Sequence, residues 1–195
     1  GTASDRSLGL NYMIKSAEKG NSDAMEELVD IYYYDEYSLG KTDYDKALLW
    51  ANKIVADKWT WNAYWAKSII GLIKYERGEY EEAVANFKDI YDNFKSGLSP
   101  DPSCYIYYGD CCYSGYGMSP NYQLAIRNYL KYINDTSDDY FQDYAYYKLG
   151  LMYENGIGVN ADLKKSFEYY REAANLGHAY AQCELGNIYA EGNSA

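Results

Sequence analysis

Histidine occurs once in this chain, at His178, and proline three times. A lone imidazole has no second histidine with which to share a metal. No Ser–His–Asp set and no Cys–His pair of plausible placement can be assembled around it. The scarcity of proline leaves long stretches free to be helical. Cysteine is also sparse: Cys104, Cys111, Cys112 and Cys183. Their spacing is not that of a zinc site, and the adjacent Cys111 and Cys112 cannot both serve one helix face. They read as small buried or half-buried thiols, and their number does not require an oxidising compartment. No apolar run approaches the ~20 residues that span a bilayer, and no leader pattern opens the chain. Because Gly1 stands where Met would, a cleaved leader is compatible with the sequence. The expectation is a soluble protein, cytoplasmic by default and periplasmic or secreted if a leader was removed.

Positive charge is short too. Lys and Arg number 18 against 29 Asp and Glu, a net charge of −11. A phosphate backbone calls for a basic stripe and none is visible, so nucleic acid is not an expected partner. A basic peptide or protein surface would be attracted instead; the plainer alternative is a solvated acidic surface.

What the chain has in abundance is tyrosine, 27 residues, within 48% hydrophobic content. Tyr pairs an apolar ring with a polar tip and suits half-buried helix surfaces and contact faces. The tyrosines also belong to a repeat. Anchored on Gly150 in LGLMYENG, the pattern recurs at Gly186, Gly109 and Gly71, with Val29 at the anchor of the earliest copy. Five residues before the anchors stand Ala24, Ala66, Cys104, Ala145 and Ala181, all small; one before stand Leu28, Ile70, Tyr108, Leu149 and Leu185, all apolar. Three after stand Tyr32, Lys74, Cys112, Tyr153 and Tyr189, of which three are Tyr and Lys74 is the clear exception. Offsets four apart trace one stripe of a helix, called helix A. A second stripe, helix B, follows as Ala47/Trp50/Ile54, Ala83/Phe87/Ile90, Ala125/Tyr129/Tyr132 and Ser166/Tyr170/Ala173. An unpaired helix B opens the chain, where DRSLGLNYMIKSAEKGN aligns with DLKKSFEYYREAANLGH.

Each hairpin would expose an apolar face that only a neighbouring hairpin can bury. The expected fold is therefore all-α, a right-handed α-solenoid superhelix of antiparallel helix A/helix B hairpins with about ten helices. One array should run over residues 1–195. It would hold helix B of a partial first repeat at 5–20, then repeats at 22–58, 62–96, 102–134 and 140–176. Helix A of a partial last repeat would follow at 178–192. Gly115/Gly117 and Gly156/Gly158 fall where helix A turns into helix B, a place that needs φ > 0. A phosphate-cradling loop would require a preceding strand and a Gly-x-Gly-x-x-Gly or Walker pattern, and neither exists. The acidic stretch 134–140 lengthens one link and should be exposed.

On these residues the chain resembles the Sel-1-like repeat family of tetratricopeptide-like α-solenoids. The copy from Ala145 to Gly186, with its Gly-x-Gly-Val turn, the Asp before helix B and the Ala-Ala…Gly-His ending, is similar to that family's consensus. Residues 71–90 resemble an ordinary tetratricopeptide repeat, because their loop between helices is four residues shorter. The resemblance implies a scaffold that organises other proteins, in bacteria often linked to the envelope, signalling or host contact. It implies no catalytic residue and no cofactor.

In such solenoids helix A lines the concave face. Positions −6, −3, +1 and +4 from the anchor should point there, set off from the core stripe. Asp30 and Tyr33 are the candidates in the early repeat, with Asp23 and Glu26 beside them. Trp65, Ser68 and Tyr75 follow, then Ile106, Asp110 and Tyr113. Tyr144, Tyr147, Leu151 and Glu154 come next, and Asn187 last. Aromatic rings with a few acids suit a peptide or protein segment; the plainer alternative is that these rings pack between adjacent A helices. Two further function classes stand beside the interaction scaffold. A carbohydrate or envelope-polymer binder would also use aromatic faces. An enzyme would need convergent acid–base geometry, but the paired carboxylates Glu81-Glu82 and Asp138-Asp139 read as solvated faces. Uncapped ends of a solenoid expose apolar surface, so the expectation is either that the native chain is longer or that the terminal repeats pair with another copy.

Overall fold

The structure, a computed structural model, describes residues 3–34, 42–57, 62–93, 100–135, 140–190 and 192, the side chains of the first two excepted. Among them are ten α-helices and no strand. They fall into two compact units, Gly1–Asp101 and Pro102–Ala195. The first holds α1 (Ala3–Glu18), α2 (Ser22–Tyr34), α3 (Tyr44–Ala56), α4 (Ala63–Glu76) and α5 (Tyr80–Asn93). The second holds α6 (Ser103–Ser114), α7 (Tyr122–Asp135), α8 (Gln142–Asn155), α9 (Leu163–Asn175) and α10 (Ala179–Ala190). Within each unit every helix packs on the next. α2, α4, α6, α8 and α10 carry the helix A stripe; the others carry helix B.

The stripes explain the packing. All twelve helix B stripe residues, from Ala47 to Ala173, are buried. So are Leu28, Ala66, Ile70, Cys104, Tyr108, Ala145, Leu149 and Ala181 on the A helices. Burying one such large side chain contributes roughly 1.5–3 kcal/mol. The anchor glycine sets how closely the two helices approach. A Cβ built on Gly150 would lie 2.5 Å from Cδ1 of Tyr170, and one on Gly109 2.7 Å from Cε1 of Tyr129. The rings therefore occupy the space a side chain would take. Gly71 does the same for Phe87, at 2.5 Å.

A single hydrogen bond recurs in every A-to-B turn. The residue that precedes helix B donates its N–H to the carbonyl three residues past the anchor. The pairs are Asp43 to Tyr32 (2.8 Å), Glu79 to Lys74 (2.9 Å), Asn121 to Cys112 (2.7 Å) and Asp162 to Tyr153 (2.8 Å). The bond holds in the Val29 copy, which lacks the glycine, and across the shorter α4–α5 loop. Asp43 and Asp162 then cap α3 and α9, accepting from the amides of Lys46 and Lys165. Capping of this kind satisfies an amide that the first turn leaves unpaired. Gly156, at φ 66°, ends α8 in the left-handed conformation, and Gly115 ends α6 likewise. Lys74, the one charged residue in a column that otherwise holds Tyr or Cys, bridges Glu79 and Glu82 across the short turn.

The alignment of α1 with α9 also has a structural counterpart. Gly20 and Gly177 donate to Ala17 and Ala174, while Asn21 and His178 donate to Ser16 and Ala173. The first A-to-B loop, over 35–41, lies outside the described residues. So do 136–139 of the acidic link, including Asp138 and Asp139; Glu81 and Glu82 are exposed.

Candidate functional site

In the first unit, Asp30, Tyr33, Trp65 and Tyr75 are half-buried on α2 and α4. Tyr33 meets Tyr34 edge-on at 4.6 Å and Tyr44 at 5.9 Å, and Tyr75 meets Tyr80 at 5.3 Å. Ser68 is fully buried. Its hydroxyl donates to the Trp65 carbonyl and accepts the amide of Asp101 at 2.8 Å, so it works inside the unit. Glu26 accepts a hydrogen bond from the Asn62 side chain. Burial, with help from Asp23 and Glu27, raises the Glu26 carboxyl above its ordinary range.

The second unit assembles more. Asp110 follows the anchor Gly109 on α6, and its Oδ1 accepts from Tyr129 Oη at 2.7 Å and Tyr144 Oη at 2.9 Å. Tyr129 is the ring that fills the Gly109 notch, so one carboxylate oxygen ties helix B to two A helices. Lys148 of α8 reaches the same oxygen at 3.9 Å and lies 3.9 Å from the centroid of the Tyr113 ring. Burial raises the Asp110 carboxyl, against the pull of Tyr129, Lys148 and Tyr144. Burial lowers the Lys148 ammonium, and Asp110 opposes that. In the next hairpin Glu154 is a tether of the same kind, accepting from Tyr170 Oη at 2.7 Å.

Beside Asp110 opens a cleft of about 420 Å³. Ile106, Tyr107 and Asp110 line it from α6, Phe141, Asp143 and Tyr144 from the start of α8, and His178 from the cap of α10. Among the described residues no hydrogen bond falls on Asp110 Oδ2 and none on the Asp143 carboxylate. His178 stacks on Tyr147 at 4.3 Å, and its Nδ1 accepts the amide of Ala181 at 3.3 Å.

Of the residues expected from the sequence, Ile106, Asp110 and Tyr144 meet in this cleft. Tyr147 packs against His178, Tyr170 and Tyr180. Leu151 lies on the cluster formed by Tyr170, Ala173 and Ala181. Tyr113 packs edge-on against Tyr122, and Asn187 is exposed. Tyr107, Phe141, Asp143 and His178 were not expected from the stripe. Three of the four sit in the cap or first turn of an A helix. Side chains lean toward a helix's N-terminus, so these residues fill the rim of the cleft, and a stripe counted from mid-helix does not reach them. The signal that could have found them is the polar and aromatic residues seven to nine before each anchor.

Among the described residues no group of His, Cys, Asp and Glu could hold a metal, and no helix is long and apolar enough to cross a membrane.

The family model described as Sel1 repeat matches residues 1–21, 22–55, 102–131, 143–178 and 179–194. The longer of the two internal stretches it leaves unmatched contains the shorter α4–α5 hairpin. Solved structures are similar over nearly the whole chain. One is c5321, a protective antigen of uropathogenic Escherichia coli strains with an SLR fold: TM-score 0.71, 22% identity, 94% of this chain and 36% of that one. A Sel1 repeat protein from Oxalobacter formigenes aligns with TM-score 0.67 and 28% identity, over 94% of this chain and 69% of the other. The curated protein chitin synthase regulatory factor 3, from Schizosaccharomyces pombe, is 42% identical over 50 residues, 25% of this chain and 5% of that protein. The chain thus spans a small fraction of that relative's length and about a third of c5321.

Proposed function

The chain belongs to the Sel1 repeat family, an α-solenoid family of protein-interaction scaffolds, and from that premise we propose that it binds a peptide or protein segment along the A-helix faces of its units. The observation that carries this reading is the cleft on the second unit, where aromatic rings and unbonded carboxylate oxygens stand together at the surface. Tyr and Trp supply large contact area with little loss of rotamer freedom, and a row of backbone-rigid helices presents them at little entropic cost. An excess of negative charge favours basic segments and predicts binding that weakens as salt rises. No reaction is assigned: Asp110 and Glu154 are tethered to tyrosines and Asp143 stands in an open cleft, a poor setting for acid–base chemistry.

The test is a screen of the protein against a random peptide display library and a glycan array. It is run with wild type and a Tyr75→Ala/Tyr144→Ala variant whose helicity is checked by circular dichroism. Peptides enriched by wild type and lost from the folded variant support the reading. Retention of glycans alone would replace it with the carbohydrate reading, and enrichment of neither would overturn it.

A further inference from the structure

We propose that the cleft between α6 and the start of α8 is a subsite for a single arginine side chain of the bound segment. This deepens the interaction reading above and rests on it. The walls carry the three kinds of group that an arginine side chain calls for. Phe141, half-buried, offers apolar surface to the aliphatic stem. Tyr107, packed edge-on against Phe141 at 5.9 Å, and Tyr144, whose ring centroid lies 5.6 Å from the Lys148 ammonium, line the cleft with aromatic rings, on which a guanidinium stacks better than an ammonium does. Asp110 and Asp143 supply acceptors for the fork of donors.

The acceptor inventory makes the assignment specific. The three contacts that Asp110 makes all fall on Oδ1: the hydroxyls of Tyr129 and Tyr144, and Lys148 at 3.9 Å. Those contacts hold the carboxylate in place and leave Oδ2 without a hydrogen bond among the described residues. The Asp143 carboxylate makes no hydrogen bond or ion pair among them either. A half-buried carboxylate oxygen with no protein donor is free to accept one from a ligand. Two such groups at one cleft, with a single nearby ammonium held over Tyr113, leave a net negative site. His178 does not neutralise it in the neutral form. Its Nδ1 accepts the Ala181 amide, which puts the proton on Nε2. That N–H is then a donor suited to a backbone carbonyl of the same segment.

The test is an NMR titration of the ¹⁵N-labelled full chain with N-acetyl-Gly-Arg-Gly-amide. Matched peptides carry lysine or citrulline, the neutral isostere of arginine. The expected result is saturable shifts at Tyr107, Asp110, Asp143 and Tyr144. Affinity should fall about tenfold for citrulline, the size of one lost charge-assisted hydrogen bond, and less for lysine. Asp143→Asn is the first variant, because Asp143 holds no structural bond; it should weaken the arginine peptide several-fold while leaving the spectrum of α7 and α9 unchanged. Asp110→Asn, which keeps an acceptor for the two tyrosines, is the second. Equal binding of citrulline, tighter binding of lysine, no effect of either variant, shifts lying elsewhere, or no saturable shift at all would overturn the subsite. The display-library peptides are titrated alongside. If they bind without an arginine requirement, the subsite falls and the interaction reading stands; if no peptide of any kind binds, both fall.

Discussion

Replacing Gly150 with alanine puts the packing argument at risk most directly. Alanine is the better helix former by about 0.8–1.0 kcal/mol in a helix interior, so an open position should gain from the change. Gly150 is not open. Its new Cβ would sit 2.5 Å and 2.6 Å from Cδ1 and Cε1 of Tyr170. That ring is fully buried and its hydroxyl is held by Glu154. A rigid, tethered ring cannot step aside cheaply, and overpacking of this kind costs about 1–3 kcal/mol. Gly186 holds the same register on α10, yet nothing lies within 4 Å of its would-be Cβ. The propensity gain is common to both sites and cancels in the comparison. Gly150→Ala should therefore be about 1–3 kcal/mol less stable than Gly186→Ala, with Gly186→Ala equal to or above wild type. The assay is urea unfolding followed by circular dichroism, with amide exchange in α8 and α9 to localise the effect. Repeat arrays need not unfold as one unit, so the local readout matters. In a Tyr170→Leu background the deficit of Gly150→Ala should vanish; with Tyr170→Phe it should persist. A Gly150→Ala protein as stable as Gly186→Ala, or a deficit unchanged by Tyr170→Leu, would refute the reasoning.

Three further outcomes are expected. Ser166 Oγ is buried with no hydrogen-bond partner among the described residues, where the other hairpins carry Ala47, Ala83 and Ala125; Ser166→Ala should stabilise by about 0.5–1.5 kcal/mol in the same urea assay, and a loss of stability would contradict it. Burial pushes the Cys111 and Cys112 thiols up to about 12, and Cys104 is buried while Cys183 is exposed. A colorimetric thiol reagent at pH 8 should thus titrate one cysteine rapidly and all four only after unfolding, and two or more fast thiols in the native protein would be evidence against the packing of α6. Asp110, raised by burial, binds its proton more tightly in the folded than in the unfolded chain. Its ionisation therefore subtracts from stability as pH rises from the unfolded value, about 4, through the folded one. The stability margin of wild type over Asp110→Asn should shrink across that window, and a margin that grows with pH would reverse the sign of the argument.

The repeat itself was legible from residues alone, because a helix stripe is a property of one helix. Small residues at −5, apolar residues at −1 and the helix B triplets are fixed by a 3.6-residue turn, and every helix B stripe residue is buried. The turn glycines were legible for the same local reason: a left-handed residue is required at Gly115 and Gly156 whatever surrounds them. What a helix does to its neighbour was decided by tertiary structure. The sequence places a helix B stripe after Gly150 and none after Gly186, but only the packing shows that the Tyr170 ring comes within 2.5 Å of a Cβ built on Gly150. Asp110 and Glu154 stood in the pattern as groove acids, but their bonds to Tyr129 and Tyr170 depend on how closely those helices approach. The cleft draws Phe141, Asp143 and His178 from helix starts, which a stripe counted along one helix does not reach. Periodicity sets the angle at which a side chain leaves its own axis. Which side chains then meet depends on the distance and tilt between axes, and those come only from packing the helices together.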